Sequence, residues 1–85
     1  MFRITITHRA EKDLKKLDRN AKNRIVKMIV SLADEPRPLG CSKILSEKGV
    51  WRIRIGDYRV LYFADAKTKQ IVVGVIGHRR EVYRN

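Results

Sequence analysis

Phe2, Ile4 and Ile6 alternate with Arg3, Thr5 and Thr7, the two-residue period of a strand with one buried face. The period then lengthens. Thr7 can cap a helix in which Ala10, Leu14 and Leu17 recur at helical spacing while Lys12, Lys15 and Lys16 face water. Asp18 can cap a second, longer helix with Ala21, Ile25, Met28, Ile29 and Leu32 as its apolar stripe. Glu35-Pro36-Arg37-Pro38 stops it, because proline has no N–H to offer the helical ladder. The two helices are expected to form an antiparallel hairpin.

From Leu39 to Gly49 the pattern breaks between two glycines, predicting a loop or an irregular edge strand around Ser42-Lys43-Ile44-Leu45. Val50 to Ile55 alternates cleanly, Gly56-Asp57 reads as a hairpin turn, and Tyr58 to Ala64 is rich in β-forming side chains. Asp65 to Gln70 is a polar turn. Ile71-Val72-Val73-Gly74-Val75-Ile76 is apolar on both faces, as in a central strand, and His78 to Asn85 is a polar tail. The order β-α-α-(β)-β-β-β predicts an α+β fold: an N-terminal strand and two-helix hairpin packed on one face of a mostly antiparallel twisted sheet, the other face open. No repeat, low-complexity tract or linker interrupts residues 1–85, which read as one domain.

Charge narrows the partners. Lys and Arg number 20 against 9 Asp and Glu, a formal net charge of +11, and such an imbalance penalises the compact state by self-repulsion. A polyanion relieves it. Nucleic acid fits best, since cations along a groove gain affinity by displacing counterions; an acidic protein would answer the same field. A membrane surface fits less well, for there is neither a long apolar run nor a basic helix with a broad aromatic face. The single Cys41 has no internal disulfide partner, and the alternating N-terminus does not read as a signal peptide, so a cytoplasmic location is expected. The acidic residues are scattered and zinc-ligand spacing is missing, so neither a metal nor another cofactor is expected.

If Gly56-Asp57 is a two-residue turn, Ile55 pairs with Tyr58, Arg54 with Arg59, Ile53 with Val60 and Arg52 with Leu61. Arg52, Arg54 and Arg59 then share one face, while Trp51, Ile53, Ile55, Tyr58, Val60 and Tyr62 line the other and suit packing on the helices. Like charges directly opposite each other destabilise a sheet, and an anion between Arg54 and Arg59 removes the conflict. Guanidinium forks match phosphate oxygens and stay charged at physiological pH. The plainer alternative is a solvated strand face. A three-residue turn would move Arg59 to the helix side.

The tail His78-Arg79-Arg80-Glu81-Val82-Tyr83 ends a strand expected to lie beside that arginine face. Metal-independent RNA cleavage needs the ribose 2′-hydroxyl deprotonated, charge on the phosphorane stabilised and the leaving 5′-oxygen protonated. Arginines serve the middle task. Tyr83 can act as a base if guanidiniums favour its phenolate, can stack on a splayed base, or can simply dock on the sheet. His78 can move a proton near neutrality or be no more than a polar strand end. His8 receives no role.

Trp51-Arg52-Ile53-Arg54-Ile55, Tyr58-Arg59-Val60-Leu61-Tyr62 and Gly77-His78-Arg79-Arg80-Glu81-Val82-Tyr83 together resemble the successive motifs of RelE toxins in the RelE/ParE superfamily. The resemblance extends to the opening strand, the Ala10-Leu14-Leu17 helix and the Asp34-Glu35-Pro36 stop. It implies a toxin of a toxin–antitoxin pair, a ribosome-dependent endoribonuclease that enters the A site, cuts mRNA and is neutralised by a RelB-like antitoxin covering the basic groove. Carried over by position, Arg52 and Arg54 hold the scissile region, Arg59 and Arg79 stabilise the phosphate, and Tyr83 stacks on or activates the nucleotide; Arg80, next to Arg79, is a further candidate for substrate binding. Two departures bear on this: no C-terminal helix follows Asn85, which leaves the antitoxin interface open, and His78 replaces a usual lysine, which leaves the proton donor open. ParE toxins share the fold and act on DNA gyrase without cutting RNA, and a non-catalytic nucleic-acid-binding module is the third alternative.

Overall fold

The computed structural model describes residues 1–78. β1 (Arg3–Ile6) leads into α1 (His8–Lys15) and α2 (Arg19–Ser31), followed by β2 (Ser42–Lys43), β3 (Val50–Ile55), β4 (Tyr58–Asp65) and β5 (Gln70–His78). The expected element order and α+β class hold. The strands form one sheet in the order β1-β5-β4-β3-β2. β1 is itself an edge of that sheet, parallel to β5, while every other pairing is antiparallel. The irregular segment before Val50 contributes only the two-residue β2.

Both helices start where their caps predict. The Thr7 hydroxyl accepts the Ala10 N–H at 3.1 Å, and the Asp18 carboxylate accepts the Ala21 N–H at 2.8 Å, each satisfying a donor that the first turn leaves over. α2 ends before the prolines, in tighter turns that run from Ala33 N–H to Val30 C=O and from Asp34 N–H to Ser31 C=O. The core forms where Ala10 and Leu14 of α1 and Ile25, Ile29 and Leu32 of the α2 end meet one sheet face. That face supplies Ile53, Ile55, Val60, Tyr62, Ile71, Val73 and Ile76. Tyr62 keeps its phenol satisfied inside this core by donating to the Pro36 carbonyl at 2.7 Å.

Two features of β5 set up the site. Leu61 pairs with Val75 but Tyr62 pairs with Val73, so Gly74 is an extra, bulged residue. β1 stops at Ile6 while β5 continues to His78, and α1 takes over its outer edge. Thr7 N–H donates to Val73 C=O at 3.0 Å, the Thr7 hydroxyl donates to Gly74 C=O at 3.1 Å, and Asp13 Oδ2 accepts the Ile76 N–H at 3.0 Å. Backbone groups that a strand would have paired are thus met by one helix and its cap.

Candidate functional site

The β3–β4 hairpin closes in the register its alternation predicts: Ile55 opposite Tyr58, Arg54 opposite Arg59, Ile53 opposite Val60 and Arg52 opposite Leu61. Gly56 makes the two-residue turn possible, with φ +61° as a type II′ turn requires of its first central residue. Because opposed residues share a face, Arg52, Arg54 and Arg59 stand together on the face the helices leave open.

Their environments differ. Arg54 is exposed and Arg52 half-buried, whereas Arg59 is only 7% exposed. Arg59 Nη1 donates to the Tyr58 carbonyl at 3.0 Å and to the Gly56 carbonyl at 3.3 Å. The like-charge conflict with Arg54 is therefore relieved in part from within, by two carbonyl dipoles of the turn. Relief is incomplete: Arg59 Nε has no hydrogen-bond partner among the described residues. A buried donor left unsatisfied costs about 1–3 kcal/mol, more on a charged group, so the site is built to gain from an acceptor.

His78 does not join the arginines. It pairs with Tyr58 on the helix-facing side, with the two rings edge to face at 6.0 Å and 80°. There it borders a cavity of about 340 Å³ with Asp13, Lys16, Leu17 and Ile76. The strand that leads into the tail does lie beside the arginine strands, but its last described residue is turned to the other face. Counted by alternation from Ile71 and Val73, His78 would share the face of Arg59; the bulge at Gly74 shifts the parity and turns Ile76 and His78 toward the helices. Arg79, Arg80 and Tyr83 lie outside the described residues.

The open face also carries a feature absent from the motif reading. Phe63 pairs with Val50, one step along the open face beyond Arg52 and Leu61, and is 41% exposed. Its ring lies against Gly49, where a Cβ would sit 2.6 Å from Phe63 Cε2 and where φ is +80°. Phe63, Lys48 and Lys67 border a shallow cavity of about 440 Å³. The same parity that grouped the arginines includes Phe63, so alternation carried one residue pair further would have found it. Trp51 and Phe2, by contrast, already hold a cation over the ring, Arg37 and Lys69 respectively, each at 5.7 Å.

A family model described as "ParE toxin of type II toxin-antitoxin system, parDE" matches residues 4–83. The chain is 32% identical over 87 residues to a protein bearing the name toxin RelE1 in Methanocaldococcus jannaschii, covering 99% of this chain and 97% of that one. Among solved structures it resembles the archaeal RelE–RelB complex from Pyrococcus horikoshii, with TM-score 0.83 and 27% identity over 94% of this chain and 97% of that chain. It also resembles the RelBE2 toxin–antitoxin complex from Mycobacterium tuberculosis, with TM-score 0.79 and 26% identity over 92% and 98%.

Proposed function

Because this chain belongs to the ParE toxin family of type II toxin–antitoxin systems, and is a toxin of the RelE type, we propose that it inhibits translation by ribosome-dependent, metal-independent cleavage of mRNA. The observation that carries this reading is Arg59: a nearly buried guanidinium with Nε unpartnered among the described residues, directly opposite a second arginine. A phosphodiester docked between Arg54 and Arg59 neutralises the pair, and a turn of the Arg59 guanidinium toward it would give the buried Nε its acceptor.

In this mechanism Arg59 and Arg79 stabilise the phosphorane, each worth ~10²–10³ in rate by analogy with oxyanion-hole donors. Arg52, Arg54 and Arg80 hold the strand. With His78 turned toward Tyr58 and α1, the proton-transfer role falls to Tyr83, a task typically worth ~10²–10⁴. The ribosome supplies the orientation that brings the 2′-hydroxyl into line. A RelB-like antitoxin silences the toxin by covering the same basic face, in keeping with the RelE–RelB complexes it resembles. The action is cytoplasmic, where ribosomes and message are.

Adding purified protein to a translating extract and mapping mRNA 5′ ends by primer extension tests this. New ends inside ribosome-occupied codons are expected, with little cutting of naked mRNA. A second reading, inhibition of DNA gyrase, is favoured by the ParE description of the matching family model. Inhibited supercoiling with intact message would replace the nuclease reading with that one.

A further inference from the structure

Resting on the RNA-cleaving reading, we infer that Phe63, flanked by Lys48 and Lys67, is a base-stacking subsite that holds a second nucleotide of the same RNA strand, away from the scissile phosphate. Phe63 and Arg59 lie on one face of one strand, four residues apart, or about 13 Å at ~3.3 Å per residue. That separation is within the span of a few nucleotides. Arg52 lies between them on the neighbouring strand, pairing with Leu61. The open face thus runs from a phosphate clamp to an aromatic ring by way of a further cation.

The ring is prepared for this. Gly49 has no Cβ, so its backbone lies against one part of the phenyl ring, while 41% of the residue remains open. An aromatic already fixed by its neighbours loses little freedom when a base stacks on it. The two lysines at the cavity rim are placed for the phosphates on either side of that base. Asp65, which also borders the cavity, has its Oδ1 turned into the following loop, where it accepts the Lys67 N–H at 2.9 Å and the Thr68 N–H at 3.4 Å. A flat ring between cations is the arrangement by which sequence-tolerant single-strand binders hold bases. An acidic peptide would use the lysines and leave the ring idle.

The test is fluorescence anisotropy of a short single-stranded RNA with 2′-O-methyl riboses, which resists attack through the 2′-oxygen, on wild type, Phe63→Ala, Phe63→Trp and Arg54→Gln. Phe63→Ala is expected to bind ~5- to ~100-fold more weakly with its salt dependence unchanged, because no charge is lost. Phe63→Trp is expected to bind at least as well as wild type, which separates stacking from a folding defect. Wild-type affinity in Phe63→Ala, with Arg54→Gln weakened, overturns the subsite and leaves the nuclease reading standing. Loss of affinity only for an Asp/Glu-rich peptide assigns the surface to a protein partner and overturns it equally. If the wild type neither binds the oligonucleotide nor cuts message on ribosomes, the underlying reading fails as well.

Discussion

Arg54 and Arg59 face each other across the β3–β4 hairpin, yet one is exposed and the other is folded over the turn with Nη1 3.0 Å from the Tyr58 carbonyl. Two identical side chains in opposed positions are thereby made unequal. Arg54 is available to grip and release a strand, whereas Arg59 presents a fixed charge. Arg54→Gln is expected to leave stability unchanged or raise it by ~0.2–1 kcal/mol, since a like-charge pair is removed, while weakening RNA binding. Arg59→Gln is expected to lower the cleavage rate ~10²–10³-fold and to destabilise the hairpin. Parallel urea titrations and single-turnover cleavage on ribosomes check both, and equal effects from the two substitutions would contradict this division of labour.

Salt provides an independent measure. Each phosphate contact on a single strand contributes a slope of about −0.7 in log K against log salt. Removing the Arg54 charge should make the slope for the 2′-O-methyl oligonucleotide shallower by about that amount. An unchanged slope would mean that Arg54 touches no phosphate.

The hairpin register was legible because two local signals agreed: strict alternation in both strands and a Gly56-Asp57 pair suited to a two-residue turn. The helix starts were legible for a similar reason, Thr7 and Asp18 each preceding an apolar repeat. The side taken by His78 was not. β5 is apolar on both faces, so alternation does not mark the parity change; Gly74 is a local bulge signal, and one extra backbone residue decides which layer the imidazole joins. The near burial of Arg59 was equally hidden, since it depends on where its fork folds and not on strand parity.

Thr7 joins α1 to β5 with one hydroxyl, accepting from Ala10 and donating to Gly74. Thr7→Ala should cost ~1–2 kcal/mol, at the upper part of the range for a lost cap, and Thr7→Ser should recover most of it. Asp13→Ala should cost ~1–3 kcal/mol by stranding the Ile76 N–H, with Asp13→Asn milder because its amide oxygen can still accept. Chemical denaturation midpoints decide both, and an Asp13→Asn as damaging as Asp13→Ala would assign the effect to charge.

Alkaline pH should find a specific weakness at Tyr62. Burial foremost, with the neighbouring Cys41 adding to it, holds the phenol well above its ordinary pKa of 10.0, so the folded state keeps a proton that the unfolded chain releases. The resulting stability is complete below the ordinary value and is lost as pH rises from there toward the raised folded one. Tyr62→Phe has no such proton. It should be less stable near neutrality by ~1 kcal/mol through the lost bond to Pro36, and should lose less stability than wild type above about pH 10. Denaturation midpoints measured across that range would show the two curves converging.

The odd residue in β5 makes the strand re-phasable. Excising Gly74 would remove the half-period offset between the strand's two halves. It would leave Val75 opposite Leu61 directly after Val73 opposite Tyr62, so Ile76 stays in the core and the imidazole of residue 78 stays beside Tyr58; closing the bulge with Gly74 retained in the ladder would instead carry both through the sheet. One residue left out of the ladder therefore separates a chain that stores its histidine against a tyrosine from one that would mix imidazole with guanidinium, at the expense of a buried isoleucine.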